Sequence, residues 1–112
     1  MLSFLADIGN YEDRKVAREH FPSCDAFLST CRVSDGLKEY ETALEHPKYN
    51  SGKLIIVESY DTKEEAMEGH LRWQKLIIDN ALPETIVDCM NGEAAELIML
   101  IDKAPLSFKR ED

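Results

Sequence analysis

Residues 53–80 read KLIIVESYDTKEEAMEGHLRWQKLIIDN, a strand, a capped start and a helix in direct succession. Leu54, Ile55, Ile56 and Val57 form a short apolar, β-branched run between Asn50-Ser51-Gly52 and Asp61. Such a run suits a central strand covered on both faces. Thr62 with Glu65 three residues on is a capping box, and Asp61 with Glu64 offers the same box one residue earlier. The carboxylates of Glu64 and Glu65 suit the positive end of the helix dipole. These signals predict a helix over residues 62–79.

Winding that helix at about 100° per residue gathers Glu64, Glu65, Glu68, Arg72, Lys75 and Asp79 on one side. Glu68 and Arg72 are spaced for an i, i+4 ion pair. The remaining arc holds Ala66, Met67, Gly69, Leu71, Trp73, Leu76, Ile77 and Ile78. It is wider than one sheet face needs, so a second surface is expected to cover part of it, in a homodimer or larger assembly. Gly69 costs about 1 kcal/mol against alanine inside a helix, and a close backbone approach is the expected reason for it.

His70 and Gln74 fall within the apolar arc, one turn apart, beside Trp73. One reading makes His70 a core residue hydrogen-bonded to Gln74, to a strand carbonyl or to a neighbouring subunit. The other makes His70, Trp73 and Gln74 the lining of a small ligand pocket. Catalysis would need a second titratable group within hydrogen-bond reach, and the local sequence supplies none. Glu65 and Glu68 lie near His70 in sequence but point to the opposite side of the helix. No catalytic residue is therefore assigned. His20 and His46 stand beside turns and read as solvated.

Outward from this unit, the first half divides into short extended segments. Leu2–Ile8 reads as a strand ending at Gly9-Asn10. Residues 14–21 have no clean helical stripe and read as an edge strand before the Pro22–Asp25 turn. Ala26–Val33 alternates, with Ala26, Leu28, Thr30 and Arg32 on one side and Phe27, Ser29, Cys31 and Val33 on the other. Asp35-Gly36 is a hairpin signal leading into a strand over Tyr40–His46. After the helix, Leu82-Pro83 breaks the pattern. Thr85–Val87 fits a short strand, and Asn91-Gly92 is a turn. Glu96–Ile101, ELIMLI, is a buried strand or a short helix. The expected fold class is α+β, an antiparallel β-meander packed by one main α-helix. It forms a single domain over residues 1–105, followed by a polar C-terminal tail over 106–112.

Composition narrows the function classes. A chain of 112 residues makes one domain. Thirteen basic against 22 acidic residues give a net charge of −9. Such a surface repels phosphate backbones, which argues against direct nucleic-acid binding. Cys24, Cys31 and Cys89 are odd in number and lack a C-x-x-C pair, so neither a disulfide framework nor a zinc ribbon is expected. Free thiols fit a reducing compartment. No apolar run reaches the ~20 residues of a membrane span, and the N-terminus lacks the pattern of a signal peptide. The expectation is a cytoplasmic, soluble protein with no metal and no cofactor. Phosphate loops, H-E-x-x-H and G-x-S-x-G are absent from the sequence.

The segment Tyr40–Trp73 carries a distinctive pattern: Tyr40-Glu41-Thr42-Ala43, His46-Pro47, Gly52-Lys53, Val57-Glu58, Tyr60 to Ala66, Gly69-His70 and Trp73. It resembles a family of small uncharacterised proteins encoded by tailed phages and prophages. The resemblance covers under half of the chain, with Leu82-Pro83 and Asp88 extending it. It implies a phage or prophage origin, hence the host cytoplasm, and brings no catalytic residues with it. The function expected is an accessory or structural protein acting through protein contacts. Two alternatives stand beside it. One is a ferredoxin-like dimeric ligand-binding protein or enzyme with a pocket at His70 and Gln74. The other is an acidic inhibitor of a host nucleic-acid enzyme.

Overall fold

A computed structural model describes residues 15–33, 38–89 and 106–112. Four strands, β1 (Lys15–Phe21), β2 (Ala26–Arg32), β3 (Tyr40–Glu45) and β4 (Ile55–Tyr60), form an antiparallel sheet in the order β1-β2-β3-β4. One helix, α1 (Lys63–Ile78), lies over β2 and touches β1, β3 and β4. A second, two-stranded sheet pairs β5 (Thr85–Val87) with β6 (Ser107–Lys109). The α+β meander packed by one main helix is therefore the observed architecture. The expected Leu2–Ile8 strand, the Asp35-Gly36 and Asn91-Gly92 turns and the ELIMLI segment lie outside the described residues.

The alternation in Ala26–Arg32 sets the inner face of the sheet. Ala26, Leu28 and Thr30 are buried, and Thr42 and Leu44 stand opposite Thr30 and Leu28 on β3. On β1, Ala17, Glu19 and Phe21 stand opposite Thr30, Leu28 and Ala26, so they share that face. The core comprises Leu28, Leu44, Tyr49, Ile55, Ile77 and Ile86, with Phe21, Val57, Trp73 and Phe108 packed against it.

Register along β4 shifts once. Thr42 faces Glu58 while Ala43 faces Ile56, so Val57 is an extra residue in a bulge. Strict alternation from Ile55 would turn Val57 and Ser59 toward the helix and Glu58 and Tyr60 away. The bulge reverses that phase and places Glu58 and Tyr60 beneath α1.

The helix begins where its sequence says it should. Thr62 Oγ1 accepts from the Glu65 amide at 3.1 Å, and the Thr62 amide donates to Glu65 Oε1 at 3.2 Å. It ends one turn before Pro83. Asn80 adopts φ 53, and the Ala81 amide donates back to Leu76 O at 2.8 Å. Gly69 is buried against Tyr60. A Cβ at Gly69 would overlap the Tyr60 hydroxyl and ring, which is the close approach expected of it.

Four expectations change. Among the described residues β4 is the last strand of its sheet, not a central one. Its outer edge is covered instead by residues 88–89, where the Cys89 amide donates to Ile56 O at 2.8 Å and Asp88 Oδ1 accepts from the Ile56 amide at 3.3 Å. Of the apolar run, Ile55 is buried, Ile56 and Val57 are half-buried and Leu54 is exposed, so it is not covered on both faces. Arg72 pairs across to Glu58 on β4, and not with Glu68, because the bulge brings the Glu58 carboxylate under the helix. The segment read as a polar tail, 106–112, contains β6. The Arg110 amide donates to Glu84 O and the Glu111 amide to Lys48 O, both at 2.7 Å. Phe108, between exposed Ser107 and Lys109, is what a strand buries and a tail does not. His46 is buried, edge-on to the Tyr49 ring with centroids 5.2 Å apart.

Candidate functional site

Between α1 and the sheet runs a continuous seam of polar side chains. Helical spacing turns His70 and Gln74 inward toward β1 and β2, and β-strand spacing turns Glu19 and Thr30 up to meet them. His70 Nε2 lies 2.8 Å from Glu19 Oε1, and His70 Nδ1 lies 2.7 Å from Thr30 Oγ1. Gln74 Nε2 donates to both Glu19 carboxylate oxygens, at 2.9 and 2.8 Å. Thr30 Oγ1 lies 2.6 Å from Thr42 Oγ1, its partner in register on β3. Thr42 Oγ1 lies 2.9 Å from the Tyr60 hydroxyl, which donates to Glu58 Oε1 at 3.1 Å. Glu58 also accepts from Trp73 Nε1 at 2.9 Å and from Arg72 Nη2 at 2.8 and 2.7 Å.

The seam thus joins two carboxylates on β1 and β4 through His70 and three hydroxyls. His70 is 3 % exposed and the Glu19 side chain 16 %, while Thr30 and Thr42 are fully buried. Among the described residues no buried side-chain nitrogen or oxygen lacks a hydrogen-bond partner. Burial pushes the Tyr60 phenol well above its usual range; its bond to Thr42 opposes this and the Glu58 charge adds to it. Tyr60 therefore keeps its proton at neutral pH.

Glu19, His70 and Thr30 follow the order carboxylate, imidazole, hydroxyl, which in an open site prepares a hydroxyl for attack. Here the hydroxyl is fully buried and already bonded to Thr42. The seam is built to join helix and sheet, with no route by which Thr30 meets a substrate in this structure.

The structure separates the three sequence-derived candidates. His70 and Gln74 meet on Glu19 and do not bond to each other. Trp73 turns the other way, onto Glu58. It lines an open groove of about 550 Å³ between β4 and α1. Val57 and Leu76 give that groove the rest of its apolar lining, and the pairs Arg72–Glu58 and Lys75–Asp79 give it charge. Neither His70 nor Gln74 lines it.

Sequence reasoning missed Glu19, Thr30, Thr42, Glu58 and Tyr60. The threonines carried a signal, because Thr30 occupies the same stripe as the inward Ala26 and Leu28. Glu58 and Tyr60 carried none, since a bulge changes the phase of alternation without marking the sequence. Glu19 became legible only once β1 was registered on β2.

Cys24, Cys31 and Cys89 form no disulfide with one another. Burial, above all, pushes the Cys89 thiol up, against the bond from Ser59, which disfavours a thiolate nucleophile there. Among the described residues no group of His, Cys, Asp and Glu is arranged to hold a metal ion, and no helix is long and apolar enough to cross a membrane. Compared with protein-family models, curated proteins and solved structures, the chain matches none of them.

Proposed function

We propose that this chain acts through protein–protein contacts, as an accessory or structural protein of the phage type its sequence resembles, and that it self-associates through α1. The observation that carries this reading is a stripe of exposed apolar side chains on the helix. Met67 is 50 % exposed, Leu71 59 % and Ile78 65 %. They recur at i, i+4 and i+11, on one side of α1. Three large apolar side chains in line on one helix favour an interface. The polar groups of the same helix support the reading from the other side, since His70 and Gln74 are engaged with the protein's own Glu19. On this reading the protein works in the host cytoplasm.

Light scattering on the purified chain and on Leu71→Glu tests it. Wild type should be a dimer or larger, and the variant should be smaller with an unchanged circular dichroism spectrum. A wild-type chain that stays monomeric at high micromolar concentration refutes self-association.

The groove at Trp73 favours a second reading, that of a small-ligand-binding protein. Its volume is within the range of small-molecule sites, about 300–1,000 Å³. The ligand would then sit against Trp73, Val57 and Leu76, and not at His70 and Gln74. Quenching of Trp73, the single tryptophan, during titration with a small-molecule library would support this reading.

A further inference from the structure

We infer that the seam is a binding site for one proton, held on His70, so that in the folded protein at neutral pH the ring is an imidazolium paired with Glu19. Directionality of the hydrogen bonds carries the inference. Five contacts link the chain Glu58–Tyr60–Thr42–Thr30–His70–Glu19, all between 2.6 and 3.1 Å. Each needs a proton between its two atoms, because lone pairs facing at such distances repel. The three hydroxyls and a neutral imidazole supply four protons. One contact would be left without one.

The direction is fixed from the Glu58 end. Arg72 and Trp73 donate to Glu58, which holds it as an acceptor. Tyr60, with one proton, gives it to Glu58. Thr42 must then donate to Tyr60, Thr30 to Thr42, and His70 Nδ1 to Thr30. A neutral ring with its proton on Nδ1 would turn a bare Nε2 toward Glu19. At the far end Gln74 donates to both oxygens of Glu19, which favours the carboxylate. The fifth proton therefore belongs on Nε2, and the ring carries two.

The groups that face this ring from each packed element are Glu19 on β1, Thr30 on β2, Thr42 on β3 and, through Thr42, Tyr60 and Glu58 on β4. Gln74 and Arg72 approach the two carboxylates from α1. Loss of the proton leaves one unfavourable contact in the clamp between helix and sheet.

The test is nitrogen NMR on the full chain labelled at histidine, with His70 assigned by its absence in His70→Gln. At pH 7 both ring nitrogens of His70 should be protonated. A ring with one bare nitrogen at pH 7 overturns the inference, including the case in which Glu19 carries the proton instead. Thr42→Val gives an independent reading, because it cuts the chain between His70 and Glu58. Two contacts then remain at His70, and Thr30 with a neutral ring satisfies both. His70 should release its second proton at lower pH in this variant than in wild type, although Thr42 does not touch the ring. Tyr60→Phe removes the same constraint and serves if Thr42→Val fails to fold. A titration of His70 unchanged in the folded variant would refute the proton count.

Discussion

At the scale of single residues, the pairing of His70 with Glu19 dominates. Removing one partner of a buried pair costs more than the pair contributes, because the other charge is stranded. In His70→Ala, Glu19 keeps only Gln74, Thr30 loses a partner and a ring-sized cavity opens. The expected loss is about 3–5 kcal/mol by chemical denaturation. A denaturation midpoint equal to wild type would show that the ring is not part of the clamp. Gly69→Ala is a sharper probe, because two effects oppose. Alanine gains about 1 kcal/mol of helix propensity. Against that, its methyl overlaps the Tyr60 ring, which is anchored by bonds to Thr42 and Glu58. Overpacking of this kind costs about 1–3 kcal/mol. The net change should be destabilising, and a thermal melt above that of wild type would contradict the packing of Tyr60 on Gly69. Of these features, the place of His70 within the apolar arc was legible from helical spacing, and the close approach at Gly69 from the cost of a glycine inside a helix. The partners of His70 were not, since Glu19 and Thr30 stand on strands distant in sequence; Tyr60 is near in sequence, but the bulge hides its inward direction.

At the scale of elements, the helix was the most legible part, because its signals are local. Thr62, Glu65 and the 3.6-residue period act within one or two turns, and the structure places the cap as the sequence implies. Thr62→Ala should lower stability by about 1 kcal/mol, read as a shift in urea midpoint. Glu65→Ala in the same background should lower the midpoint further, since alanine at 62 keeps the backbone amide from which Glu65 Oε1 accepts. The strand β4 shows the opposite case. An apolar run reports neither how far a segment is covered nor by what: Ile55 is buried, while Leu54 is 50 % exposed. The residues 88–89 cover its edge, so the run looked central while standing last in the sheet. Arg72 was misassigned for a related reason. Helical spacing offers Glu68 as its partner, but Glu58 accepts from Arg72 Nη2 through both oxygens, a closer match than one exposed i, i+4 contact provides.

At the scale of the whole molecule, three segments remote in sequence are tied together at one end. Tyr49, fully buried in the β3–β4 loop, donates its hydroxyl proton to Pro83 O, and Arg110 donates to Leu82 O at 3.1 Å. The Glu111 amide donates to Lys48 O. Charge and polarity made residues 106–112 look dispensable in sequence, because one inward residue, Phe108, is too few to show an alternation. Deleting residues 106–112 should therefore destabilise the fold well beyond the loss of a tail, with a lower melting temperature. His46 sits in the same knot and gives it a pH dependence. Burial foremost, then the Lys48 and Arg110 charges, hold His46 below its usual value of 6.5. Its Nδ1 accepts from the Lys48 amide at 3.1 Å, a role that a proton on Nδ1 abolishes. On acidification the unfolded chain takes up this proton first, so it binds more protons than the folded state below about 6.5, and stability falls as the pH falls. The stabilisation is intact above that value. Urea midpoints at pH 7 and pH 5 for wild type and His46→Gln isolate the effect, since carboxylate contributions are common to both. Wild type should lose more stability than the variant between the two pH values. Equal losses would mean that His46 is solvated after all, and that the knot closes without it.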